Sequence, residues 1–142
     1  MSDATSLGLV VVFLVFSAFF SSSEAAFLSL QRTRITHLVS TGIPGARRVA
    51  RMIEEPERLL STILLGNNLV NVAFTSVVTV AIVDALGEGG EGRAVLIATV
   101  VGTAGLLLLG EVIPKTVAVR KAKRVAFLYA PVLKGTELLL FP

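Results

Sequence analysis

The sequence predicts an all-α membrane protein with three transmembrane helices per protomer and additional juxtamembrane amphipathic helices. Two observations support this fold class. The 142 residues are 54% hydrophobic and 16% charged, with a mean hydropathy of +0.82, which leaves too little charged surface for a water-soluble domain of this size. The apolar residues also form three runs, at about 7–30, 59–86 and 94–119, and each exceeds the roughly 20 residues that a helix needs to cross the hydrocarbon core.

The first run begins close to the amino terminus but does not resemble a cleaved signal peptide. Residues Met1 to Ser6 contain Asp3 and no basic residue, so the charged segment that precedes a signal sequence is missing, and the apolar run is too long for one. We therefore interpret it as a permanent span. The glycine-rich segment Gly87–Gly92 predicts a short turn that makes the second and third spans antiparallel neighbours.

The basic residues predict the orientation of the spans. Of thirteen Lys and Arg, six lie between Arg32 and Arg58 and five between Lys115 and Arg124. By the positive-inside rule these stretches face the cytoplasm and the amino terminus lies outside a cell membrane. Because eleven of the thirteen basic residues lie in these two stretches, the net charge of +3 does not indicate a nucleic-acid partner.

Two cytoplasmic juxtamembrane regions, about 33–55 and 122–141, are predicted to be helical. In the first, 33–40 and 46–55 form helices joined by a turn at 42–45. Apolar Val49 and its neighbours share one face of the second helix and arginines cover the rest, which suits either a helix at the lipid headgroups or a solvated connector with a partly buried face. The apolar segment 125–141, which Pro131 and Gly135 are expected to interrupt, is consistent with a belt helix, a partial insertion or the lead into a further domain.

Polar residues inside the three runs are the candidate functional residues, because polar atoms at membrane depth are costly and usually functional. In the second run, Asn67 and Asn71 are one helical turn apart on the same face, and Gly66 permits close approach of a neighbouring backbone. Asn68 points about 100° away and is a secondary candidate. The alternative is that the asparagines join helices by hydrogen bonds.

In the third run, Gly110 and Glu111 precede Pro114. Proline has no N–H, so the Gly110 carbonyl loses its helical donor beside the Glu111 carboxylate, and the helix is expected to kink there. Such broken helices mark ion sites in transporters. The alternative is an ion pair between Glu111 and Lys115, one turn later.

The first run contributes a row of hydroxyls followed by an acid. At least one of three consecutive serines must face the bundle, although each hydroxyl can also bond back to its own helix. Glu24 is compatible with a ligand, a proton-linked group or a neutralised structural residue. These four residues are Ser21, Ser22, Ser23 and Glu24.

The combined donor set favours a hard cation. Hydroxyl, amide, carbonyl and carboxylate oxygens without any cysteine suit Mg²⁺, which takes six oxygens in near-octahedral geometry. The predicted ligands are Ser21, Ser23, Asn67, Asn71, Gly110 and Glu111, with gating at Gly66 and Pro114. A single carboxylate among neutral oxygens predicts weak binding, as transport requires. The donor types do not separate Mg²⁺ from Mn²⁺ or Co²⁺.

Three segments resemble the transmembrane domain of the CorC and cyclin M (CNNM) magnesium transporters. They are Phe20 to Leu30, Leu64 to Asn71 and Gly110 to Lys115. The resemblance implies a homodimer of three-span protomers that exports Mg²⁺ with Na⁺ as the suggested coupling ion, and cytoplasmic CBS and CorC domains that this chain does not contain. It also implies ion ligands at Ser21, Asn67, Asn71 and Glu111. The residues after Ser21 depart from the family pattern, so the roles of Ser22 and Ser23 stay open.

Two other functions compete with transport. A membrane-anchored magnesium sensor or regulatory scaffold would bind the ion without carrying it. An intramembrane hydrolase would need a base beside a serine, and His37, the only histidine, lies outside the spans. We therefore expect no enzymatic activity.

Overall fold

A computed structural model describes residues 3–86 and 91–140 of the chain. These residues form helices and short connections, with no strand among them. In chain order the helices are α1 (Asp3–Leu28), α2 (Arg32–Ser40), α3 (Ala46–Glu54), α4 (Pro56–Leu86), α5 (Glu91–Gly105), a π-helical segment (Leu106–Val112), α6 (Ile113–Arg120) and α7 (Ala122–Leu140).

Three of the helices are long and apolar enough to cross a membrane, which confirms the predicted fold class. They cover Ala4–Leu28, Pro56–Ala85 and Val95–Arg120. The third is composite, because α5, the π segment and α6 follow one another without a break. Of the predicted glycine turn, 87–90 lies outside the described residues, and Glu91 and Gly92 already belong to α5.

Helix α1 is the centre of the bundle. It packs against α4, the π segment, α6 and α7, so both of the other membrane-crossing helices touch it. The largest cluster of buried apolar side chains lies towards the basic end, where α1 meets the juxtamembrane helices. Its members include Phe20, Phe27, Ile35, Val49, Met52, Leu59, Ile63 and Leu133.

The first juxtamembrane region is a helix–turn–helix, as predicted. Gly42 and Gly45 both have positive φ, +76° and +83°, a conformation that side-chain-bearing residues rarely adopt. In α3, Val49 and Met52 are buried and the helix packs against α2 and α7. Protein therefore covers the apolar face of α3, and that face is not available to lipid.

Helix α7 runs from Ala122 to Leu140 without a break, so Pro131 and Gly135 interrupt the apolar sequence but not the helix. Proline removes one backbone hydrogen bond, but burial of Ala130 and Leu133 against the bundle holds the helix together. Its Glu137 is only 3% exposed. The Oε1 atom of Glu137 lies 2.6 Å from Arg58 Nε at the start of α4 and 3.5 Å from Lys134 Nζ.

Candidate cation site

The three membrane-crossing helices are joined near the middle of their lengths by a chain of polar side chains. Ser17 on α1 donates its hydroxyl hydrogen to Asn71 Oδ1 on α4 at 3.0 Å. Asn71 Nδ2 in turn donates to Glu111 Oε1 in the π segment at 3.2 Å. The Asn71 amide and the Glu111 carboxylate are thus in direct contact.

Ser21 and Asn67 lie one turn further along the same interface. Helices α1 and α4 are antiparallel, since Ser17 meets Asn71 while Phe20 meets Gly66. Moving four residues forward on α1 and four back on α4 therefore leads to Ser21 and Asn67. The Ser21 hydroxyl and the Asn67 Oδ1 atom are buried and have no hydrogen-bond partner among the described residues.

Unpaired buried oxygens indicate that something else satisfies them. Leaving a buried polar atom without a partner costs about 1–3 kcal/mol, and a native fold keeps few such atoms. Ser21 is 0% exposed and Asn67 is 9% exposed, so bulk water does not reach them freely. A cation held between the two atoms would offset the cost, and their chemistry fits Mg²⁺.

Gly66 sets the spacing between α1 and α4 beside these oxygens. A Cβ at position 66 would lie 2.5 Å and 2.6 Å from two atoms of the Phe20 ring. The ring itself is buried and meets Phe19 edge to face, with 5.1 Å between centroids. The two helices approach this closely only because residue 66 has no side chain.

Gly110 has the same role between α1 and the π segment. A Cβ there would lie 2.9 Å from Ser17 Oγ and 3.3 Å from Ser17 Cβ. Without that Cβ, Ser17 sits against the backbone next to Glu111. Ser17, Asn71 and Glu111 are therefore positioned by packing as well as by hydrogen bonds.

The backbone around Glu111 is wound in π register, which the sequence did not reveal. The Ile113 N–H donates to the Leu108 carbonyl, five residues back. Pro114 then supplies no N–H, either to Leu109 in π register or to Gly110 in α register. The predicted disruption at Gly110 and Pro114 thus takes the form of a π segment, a feature frequent at functional sites.

The other predicted site residues of α1 and α4 form no side-chain hydrogen bond with Ser17, Asn71 or Glu111. The Ser22 and Ser23 hydroxyls donate to the Ala18 and Phe19 carbonyls of their own helix, at 2.6 Å and 2.7 Å. Asn68 is exposed on another face of α4. The structure thus separates Ser21, whose oxygen is unpaired, from its two neighbours.

Glu24 pairs with Lys115, not with the cation-site residues. Glu24 Oε2 lies 3.5 Å from Lys115 Nζ, and both side chains are more than a third exposed. The alternative pairing of Lys115 with Glu111 is therefore not the one observed, because Lys115 projects towards α1. Glu111 uses one carboxylate oxygen for Asn71 and retains the other for a ligand.

Ser17 is the site residue that sequence reasoning missed. It is 0% exposed and links α1 to both Asn71 and Gly110. The signal was present, because Ser17 precedes Ser21 by four residues and so shares its helix face. Among the described residues no group of three or more His, Cys, Asp and Glu could hold a metal, so the candidate site depends on neutral oxygens and a single carboxylate.

Comparison with known proteins identifies the architecture. Residues 8–142 match the cyclin M transmembrane N-terminal domain family. The chain belongs to that family. The cyclin M domain is 37% identical to a UPF0053 protein of Haemophilus influenzae over 94% of this chain. It is 36% identical to the UPF0053 inner membrane protein YfjD of Escherichia coli K12 over 89% of this chain.

The family extends beyond bacteria and includes longer proteins. A DUF21 domain-containing chloroplast protein of Arabidopsis thaliana is 36% identical over 94% of this chain. The cyclin M domain spans 31%, 28% and 20% of the lengths of these three relatives. Together with its three apolar helices, the match establishes a multi-pass membrane domain. The family description names no enzymatic activity.

Proposed function

We propose that the cyclin M domain carries Mg²⁺ across the membrane through the site formed by Ser17, Ser21, Asn67, Asn71 and Glu111. The observation that carries the proposal is the pair of unpaired buried oxygens on Ser21 and Asn67, one helical turn from a carboxylate and an amide in contact. Residues 21, 67, 71 and 111 are also those that the cyclin M resemblance implies as ligands.

The charge of the site suits transport better than permanent storage. Glu111 contributes one negative charge, and the other side chains contribute neutral oxygens, so a bound divalent ion leaves the site with a net positive charge. Mg²⁺ also gives up its water reluctantly. Weak, partly hydrated binding follows, which lets the ion leave as well as enter.

An open, mostly apolar groove on α4, which also exposes the Thr75 and Thr79 hydroxyls, runs from the site towards the end of the bundle away from the basic loops, and we propose it as the ion's route. Asn71, Thr75 and Thr79 follow each other at four-residue intervals along it, and the groove has a volume of about 570 Å³. The Thr75 and Thr79 hydroxyls donate to carbonyls one turn back, at 2.9 Å and 2.8 Å. Their hydrogens are thereby engaged, so each presents oxygen lone pairs to the groove, which attract a cation.

The proposal also covers the direction of transport, the partners of the domain and its orientation in the membrane. We take the basic loops to be cytoplasmic, the transport to be export, and Na⁺ to be the exchanged ion. The working unit is a homodimer, joined to cytoplasmic CBS domains in the full-length protein. The resemblance to the cyclin M transporters implies these assignments, and the greater length of the relatives leaves room for further domains.

Flux through sealed vesicles tests the proposal directly. The purified chain is reconstituted into liposomes that contain a magnesium-sensitive dye, and Mg²⁺ movement is followed with and without a sodium gradient. We expect protein-dependent flux that responds to the sodium gradient. Mg²⁺ binding without any flux would contradict transport and support the sensor or scaffold instead.

Replacing two adjacent buried serines one at a time distinguishes a serine that binds the cation from one that only bonds to its own helix. Ser21→Ala removes an oxygen with no protein partner, whereas Ser22→Ala removes one that bonds to its own helix. We expect Ser21→Ala to weaken Mg²⁺ binding by at least about tenfold, as loss of groups that hold a metal does, and not to lower stability without the ion. Ser22→Ala should retain binding within about twofold. Equal effects on isothermal titration of Mg²⁺ would contradict the assignment of Ser21.

The groove has a test of its own. Thr75→Val together with Thr79→Val keeps the shape of both side chains but removes their hydroxyls. We expect Mg²⁺ flux to fall by about threefold or more. The Mg²⁺ affinity should not change, because the variant alters the movement of the ion along the groove and not its binding at the site. Thr99→Val with Thr116→Val is the matched control, since these hydroxyls also bond one turn back, at 2.8 Å each, but lie outside the groove. A similar loss of flux in both pairs would contradict a role for the groove.

A further inference from the structure

A second site of different chemistry lies at the basic end of the bundle. A cavity of about 450 Å³ opens where the α1–α2 connection meets the junction of α6 and α7. Its wall contains five basic residues and no acidic one. The basic residues are Arg34, Arg120, Lys121, Lys123 and Arg124.

The five cations have no counter-charge among the residues that the structure describes. Among residues 3–86 and 91–140, no carboxylate oxygen lies within 4.0 Å of their side-chain nitrogens. Like charges gathered around one cavity repel each other, and binding of an anion would relieve that repulsion. Three other basic residues of this end are paired, since Arg58 and Lys134 contact Glu137 and Lys115 contacts Glu24. Arg47, Arg48 and Arg51 line a separate cavity of about 440 Å³.

The backbone adds donors at the same place. Helix α7 begins at Ala122, which is part of the cavity wall. In the first turn of this helix, the Val125 N–H donates to the Lys121 carbonyl. The N–H groups of Ala122, Lys123 and Arg124 precede Val125, whose N–H is the first to donate within this helix, so they are free to bind an anion. Charged side chains and backbone donors thus converge on one cavity.

The position and the apolar part of the wall indicate which anion fits. The cavity lies just beyond the ends of two membrane-crossing helices, at Leu28 and Arg120. Leu30, Ile35 and Val119 form apolar wall beside the cations, and Ile35 is 3% exposed. Arginine and lysine around a phosphate, next to apolar groups at the edge of the hydrocarbon core, match the charged head and first carbons of a phospholipid.

We infer that this cavity binds a phosphate group at the membrane surface. The same contacts would accept the phosphodiester of an anionic phospholipid or a free phosphate ion. The site is separate from the cation site and does not depend on transport, because it uses the opposite charge and different residues.

Binding is tested on the intact 142-residue chain in detergent by native mass spectrometry. One arm adds phosphatidylglycerol, another adds inorganic phosphate, and a third adds phosphatidylcholine. We expect the chain to retain more adducts of phosphatidylglycerol or of phosphate than of phosphatidylcholine. Adducts of phosphatidylglycerol that inorganic phosphate does not displace identify a lipid site, whereas phosphate adducts alone identify a site for the free ion. No anionic adduct, or equal retention of phosphatidylcholine, overturns the inference.

A pair of charge-matched variants locates the site. Arg34→Gln with Arg124→Gln removes two of the cations that line the cavity, one from α2 and one from α7, and we expect at least a fivefold loss of anionic adducts. Arg48→Gln with Arg51→Gln removes the same charge from α3 at the same end of the bundle, where both arginines line the separate basic cavity, and should change retention by less than twofold. All four side chains are exposed, so folding is not at risk. Equal losses in the two pairs would show general attraction to a basic surface and overturn the inference.

Discussion

Glu111→Gln is expected to abolish Mg²⁺ transport while leaving the fold intact. Glutamine keeps the shape of the side chain and an oxygen that can accept the hydrogen bond from Asn71 Nδ2, now 3.2 Å from Glu111 Oε1. It removes the only negative charge of the proposed site. Two unit charges about 4 Å apart attract each other by about 4 kcal/mol at an effective dielectric constant of 20, so loss of this charge should weaken binding of a divalent ion by at least about a hundredfold.

Glu24→Gln is the matched control for that prediction. It makes the same chemical change at an acid of a membrane-crossing helix, but Glu24 faces Lys115 at 3.5 Å and is partly exposed. Partly exposed ion pairs contribute about 0–1 kcal/mol, so stability and Mg²⁺ binding should change little. Titration calorimetry and vesicle flux measure both variants. A folded Glu111→Gln protein with normal flux, or equal loss in both variants, would contradict the role given to Glu111.

Gly66→Ala is expected to disturb stability and ion binding together. The new methyl group would lie 2.5 Å to 3.1 Å from three atoms of the Phe20 ring, much closer than carbon atoms pack. Overpacking of this kind costs about 1–3 kcal/mol. If α4 moves away from α1 to relieve the clash, Ser21 and Asn67 separate, so we also expect Mg²⁺ affinity to fall by about tenfold or more.

Two further variants make the Gly66 prediction specific. At Gly8, also in a helix, an added Cβ meets nothing within 4 Å, so Gly8→Ala should be neutral or stabilise the helix by up to about 1 kcal/mol. Combining Gly66→Ala with Phe20→Leu removes the ring and should recover part of the lost melting temperature. If Gly66→Ala melts at the same temperature as Gly8→Ala, the close approach of α1 and α4 is not as described.

Sequence reasoning predicted the features that follow from hydropathy and helical periodicity. The three spans and the helix–turn–helix at Gly42 and Gly45 follow from apolar run length and from glycine at positions of positive φ. The same periodicity placed Asn67 and Asn71 on one face of a helix, and the structure shows Asn71 in contact with Glu111. Their role as ion ligands stays a prediction.

The features that were missed depend on contacts between helices. The π register at Leu108 and Ile113 reflects how the third span packs against α1, and a backbone register cannot be inferred from side-chain types alone. Ser17 was overlooked because its partners lie on other helices. The choice of Glu24 over Glu111 as the partner of Lys115 is likewise a tertiary contact that competes with the local one-turn pairing.

A structure of this chain with Mn²⁺ in place of Mg²⁺ would test the central claim most directly, because both ions take oxygen ligands and manganese is visible by its anomalous scattering. We expect one strong anomalous peak between the three membrane-crossing helices, with oxygens of Ser21, Asn67 and Glu111 about 2.1–2.3 Å away. A metal bound only elsewhere, with the Ser21 and Asn67 oxygens still unpaired, would contradict the account.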